Sequence, residues 1–121
     1  MTNQLIVTSP MLAGQPVVNG NRVLSAEQTL SPATTTHTAF SVNSDLVAVA
    51  LYKFGTLTND CTLVMEGSAE GTRFNPIKTY TNADLQAGKY DTVQCKAPYI
   101  RFTFVPGTTT GSNGVKVRIL D

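Results

Sequence analysis

The sequence predicts an all-β fold: an antiparallel β-sandwich or jelly roll of about eight strands with an extended N-terminal arm. Three observations predict it. Apolar and polar residues alternate with period two through most of the chain. Gly, Pro, Asn and Ser punctuate it at strand-length intervals, and helical periodicity is nearly absent. A strand with one face in the core and one in water must alternate, and turns at this spacing are those of sandwiches and jelly rolls.

Taken in order, residues 1–21 read as an arm and loop, and residues 22–121 as a single domain. The arm carries Leu5, Ile6 and Val7, then a stretch holding Pro16, Val17, Val18 and the turn Asn19-Gly20-Asn21. Residues 22–30 and 37–42 read as strands joined by a Ser/Pro/Thr loop. Residues 46–54 are apolar on both parities until Lys53, as a central strand covered on both faces or buried in a subunit contact would be. Residues 61–66 alternate and stop at Gly67-Ser68. Residues 73–80 form a further strand, which Pro76 assigns to an edge or a bulge because proline cannot donate to a ladder. Residues 82–87 make at most one helical turn, ended by Gly88. Residues 90–95 point Val93 and Cys95 inward. Residues 99–105 put Ile100, Phe102 and Phe104 on one face, with Arg101 and Thr103 on the other. After a flexible loop at 107–114, residues 115–120 turn Val115, Val117 and Ile119 inward and Lys116 and Arg118 outward.

The composition narrows the function. The 121 residues suffice for one buried core without metal or disulfide. Only 14% are charged and the net charge is +1, against about 25% charged in an average globular chain. Threonine, at roughly 18 positions, supplies the missing polarity. Charge depletion marks the centres of interfaces, so such a surface suits a protein that packs against neighbours. A Thr-rich β-domain standing alone has the same composition. No apolar run approaches the ~18 residues of a membrane span. The first residues lack the basic and apolar regions of a signal peptide, so export by that route is not expected.

Residues for catalysis are missing. His37 is the sole histidine, which excludes a His-rich metal site, and no nucleophile elbow accompanies it. Beside a Thr run it reads as an exposed loop-edge residue. The acids are scattered, mostly at turns. Glu66 and Glu70 flank one turn and could contribute to a calcium site, but no Asp-x-Asp-x-Asp pattern supports them. A P-loop and a GxGxxG are both absent. Nine basic against eight acidic residues leave no nucleic-acid footprint, although Lys116, Arg118 and Arg101 with Tyr99 could share one sheet face. Cys61 and Cys95 fall on inward parities and read as reduced core thiols, a disulfide remaining open if their strands are neighbours.

The stretch from Leu63 through Gly67-Ser-Ala-Glu-Gly71 to Ile77, followed by Tyr90-Asp-Thr-Val and Tyr99-Ile-Arg-Phe, resembles the strand–turn–strand unit of discoidin-like small β-sandwiches. Short versions of that unit recur in virion proteins of tailed phages, of the capsid decoration (cement) type. Within it, Gly67 and Gly71 would free the turn, and Phe74, Ile77, Ile100 and Phe102 would fill the core. The chain is shorter than cellular discoidin domains and lacks their terminal cysteine pair and exposed apolar spikes, which speaks against lipid binding. The resemblance implies a non-enzymatic protein on the capsid surface of a virion, assembled in the host cytoplasm. It would bridge subunits of the major capsid protein as a dimer or trimer, without cofactor, nucleic acid or membrane. Leu5, Ile6, Val7, Val17 and Val18 are the expected contacts, the alternative for Leu5 to Val7 being an edge strand of the protein's own sheet. The alternative is a carbohydrate- or receptor-binding module of a phage tail.

Overall fold

The structure, a computed structural model, describes residues 24–121. The arm, with Leu5, Ile6, Val7, Val17 and Val18, lies outside the described residues. The strands are β1 (Gln28–Leu30), β2 (Phe40–Ser41), β3 (Leu46–Phe54), β4 (Thr62–Ser68) and β5 (Asn75–Tyr80). A short helix α1 (Asn82–Ala87) leads to β6 (Lys89–Gln94), β7 (Tyr99–Val105) and β8 (Gly114–Leu120). They form two four-stranded antiparallel sheets, β1-β8-β3-β6 and β2-β7-β4-β5.

The pairing is nested. β1 lies beside β8, β2 beside β7, β3 beside β6, and β4 beside β5, with β3–β8 and β4–β7 completing the sheets. This is a long hairpin rolled upon itself, the jelly-roll form of the sandwich. Only the β4–β5 turn stays within one sheet. Every other connection crosses between sheets, so each alternating strand buries one face against the opposite layer. Leu30, Val47, Val49, Leu51, Leu63, Met65, Phe102, Phe104, Val117 and Ile119 form one continuous core. α1 closes one end by burying Leu85. Thr81 caps it: its Oγ1 accepts from Asp84 N at 3.3 Å, while Asp84 Oδ2 accepts from Thr81 N at 3.1 Å.

Each sheet edge is blunted against strand addition. β1 and β2 are three and two residues long. β5 contains Pro76, and between Met65 and Glu66 its register slips by one residue, leaving Ile77 unpaired; proline thus sits at both an edge and a bulge. On β6, Asp91 Oδ1 accepts from Thr92 N at 3.0 Å, so a side chain already occupies that amide.

Several expectations shift. The strand expected from residue 22 is regular only from Gln28, with one bridge from Leu24 to Leu120. Between them the Ser25 hydroxyl, not a carbonyl, accepts from Ile119 N at 3.0 Å. β4 runs on through Gly67-Ser68. Phe74 and Ile77 stand outside the core. Phe74 lies 4.1 Å beneath the Arg101 guanidinium, and the bulge turns Ile77 toward the surface.

Candidate functional site

The most distinctive surface is the outer face of the β1-β8-β3-β6 sheet. The inner residues of β3 are Val47, Val49 and Leu51, so Leu46, Ala48, Ala50 and Tyr52 must face out. Register aligns Leu24, Leu120, Ala48 and Thr92 in one row and Arg118, Ala50 and Tyr90 in the next. Leu24, Leu46, Tyr52 and Tyr90 are exposed, Tyr90 by 73%. Polar groups border the β1 side. Tyr52 donates to Glu27, Lys116 lies 3.7 Å from the same carboxylate, and Arg118 donates to Ser25 O at 3.1 Å. The Tyr52 hydroxyl, and then the nearby cations, hold the Glu27 carboxyl below its usual range. The polar groups along this border are thereby engaged within the protein, leaving an aromatic and aliphatic centre.

A second feature is an open groove of about 620 Å³ at one end of the sandwich, lined by Gly67, Ser68, Arg73, Asn75, Cys95 and Ala97, among others. A Cβ on Gly67 would lie 2.6 Å from Ile77 Cδ1 and 2.8 Å from Ala97 Cβ, so glycine lets these walls close over the end of β4. The turn that carries the discoidin-like resemblance serves this geometry. Ser68 Oγ accepts from Gly71 N at 2.8 Å, and Glu70 Oε1 from Arg73 N at 3.1 Å. Ser68 and Glu70 are therefore committed to shaping the turn. Arg73 and Asn75 give the groove polar groups, but no aromatic ring lines it.

The other end is stapled by Asp60, which accepts from the backbone N of Thr108 at 2.9 Å and from the Thr58 hydroxyl at 2.5 Å. Those bonds, Thr58 first, lower its pKa. Asp91 is held low chiefly by Lys78 Nζ at 2.6 Å, and the buried Tyr80 also donates to it, tying the β5 and β6 edges together. Glu66 Oε1 accepts from Arg101 Nε at 2.9 Å and Thr103 Oγ1 at 2.7 Å. Glu66 and Glu70 thus engage separate partners. Among the described residues no three of His, Cys, Asp and Glu gather as metal ligands would.

Two sequence expectations are corrected by position, and a third, the reduced core thiols, holds. Lys116 and Arg118 lie on β8 and Arg101 and Tyr99 on β7, in different sheets, so they share no face. Parity tells inside from outside but not which layer a strand joins. His37 is half-buried rather than loop-exposed, its ring 4.6 Å from that of Phe40 and 6.0 Å from that of Phe102. Its Nε2 accepts from Phe102 N at 3.0 Å, a role that no motif announces. Cys61 and Cys95 are both buried and free. Cys61 precedes β4, whereas Cys95 shares the groove with Gly67 and Ser68 at the far end of that strand. Seven residues of strand span about 23 Å, far beyond the ~7 Å Cα separation a disulfide tolerates. Burial pushes the Cys95 thiol pKa upward, which suits an inert core thiol.

A scan against protein-family models, a search of curated proteins and a search of solved structures each return no match.

Proposed function

We propose that this chain is a non-enzymatic virion structural protein, a capsid decoration protein that stabilises a tailed-phage shell by bridging major capsid subunits. The observation that carries the reading is the gathering of Leu24, Leu46, Tyr52 and Tyr90 on one sheet face, in a protein whose edges are blunted against strand addition. Contact would then be made through a face, by area burial worth about 25 cal/mol per Å² of apolar surface. The low charge of the chain supports the same reading. Jelly rolls also serve as lectins and enzymes, so the fold adds compatibility and nothing more. Residues Leu5, Ile6, Val7, Val17 and Val18 remain the expected arm contacts.

Co-sedimentation of the full chain with intact tailed-phage capsids tests this. The wild type pellets with shells, and the pair Leu46→Glu and Tyr90→Glu stays in the supernatant with an unchanged circular dichroism spectrum. Binding to a polysaccharide, with no affinity for any shell, would instead favour the carbohydrate- or receptor-binding module.

A further inference from the structure

Two amides of the inner strands receive a side chain where a neighbouring strand would offer a carbonyl. On β8, Ile119 N donates to Ser25 Oγ at 3.0 Å; on β7, Phe102 N donates to His37 Nε2, also at 3.0 Å. The hydroxyl has no charge to gain near neutrality, and the imidazole does. Because Phe102 donates into Nε2, that nitrogen carries the lone pair. Nδ1, 2.7 Å from Thr38 O, carries the proton and donates it to that carbonyl. His37 is therefore the neutral Nδ1–H tautomer. A second proton would set Nε2–H against the Phe102 N–H, donor against donor.

This part of the chain is also held to β7 by the Thr36–Thr103 bridge, the bond from Phe104 N to Thr35 O, the two pairs Phe40–Ile100 and Ser41–Tyr99, and the Phe40 ring edge-on to Phe102, with Val42 N bonded to Pro98 O just beyond. We propose that His37 is an acid-sensitive latch whose protonation loosens residues 36–41 from β7. Residues 31–41 contain no other titratable side chain. On β7 the nearest charge is Arg101, whose guanidinium is held by Glu66 of β4 and lies over Phe74. Burial of the ring, with a smaller push from Arg101, lowers its pKa from 6.5, against the opposing pull of the Thr38 carbonyl. The folded protein therefore prefers the neutral ring. That stabilisation is complete above pH 6.5 and is lost as the pH falls through the lower folded-state value.

Amide hydrogen exchange on the full chain, stepped from pH 7.5 to 5 and corrected for intrinsic rates, tests the latch. Phe102 loses protection tenfold or more, with the midpoint of the imidazole titration followed by NMR. Ile119, bonded to a hydroxyl, keeps its protection. His37→Gln retains an acceptor that does not titrate, and its Phe102 amide stays protected throughout. If that variant does not fold, the contrast between Phe102 and Ile119 in the wild type decides the matter. Equal loss at both amides, or a Phe102 amide unmoved while the ring titrates, overturns the proposal.

Discussion

The two outer faces of the sandwich have been finished differently. On the β2-β7-β4-β5 sheet, Glu66 gathers Arg101 and Thr103, and Arg101 in turn covers Phe74. Polar and aromatic groups there spend themselves on one another. On the β1-β8-β3-β6 sheet the ion-paired groups gather toward the β1 border, while Leu46 and Tyr90 stand into solvent. A face whose groups satisfy one another gains little from a partner. A face with uncompensated apolar area gains much, and the contrast teaches where to look for a docking surface on a chain without a metal-ligand cluster among its described residues.

The harshest way to break the comparison is at Gly114. A Cβ there would lie 1.8 Å from Leu30 O, in backbone that cannot yield cheaply. Gly114→Ala should push β1 off β8, dismantle the polar border and cost on the order of 3 kcal/mol by chemical denaturation. Next comes Glu66→Ala, which leaves Arg101 and Thr103 without their acceptor and should cost about 1–3 kcal/mol. A loss below a few tenths would mean the second face is not held together by that carboxylate. The smallest effect sharpens the contrast. Tyr90→Ser and Leu46→Ser should each change stability by no more than about 0.5 kcal/mol, since these side chains are already in water. A large loss at either would show that the first face is structural after all.

Much of the fold was legible in the sequence because burial of one face imposes period two. β7 and β8 and the inward set Ile100, Phe102, Phe104, Val115, Val117 and Ile119 follow from it directly, while β3 was legible as a continuous apolar run. Pro76 marked its edge because a missing N–H is a local fact. Long-range facts were not legible. The bulge at Ile77 reverses parity through a slip against β4, and the separation of Arg101 from Lys116 depends on the β7–β8 connection crossing layers. His37 escaped for a related reason: its acceptor role exists only once Phe102, far along the chain, is placed against it. The exposed apolar face was hidden because Leu24, Leu46, Tyr52 and Tyr90 come from three separate segments, and only the register unites them. The candidate contacts in the arm lie outside the described residues.

The nested pairing also sets the timetable of synthesis. Among the described residues only β4 and β5 are consecutive strands that pair; Gln28 meets Val117, and Leu51 pairs with the same residue from the other side. β8 is thus the strand that β1 and β3 both await. While the chain is still on the ribosome, neither can complete its ladder, and the apolar run of β3 must be kept from wrong partners until the last strand emerges. The β1-β8-β3-β6 sheet therefore closes only once β8 is available, and slowly, because most of the contacts close long loops.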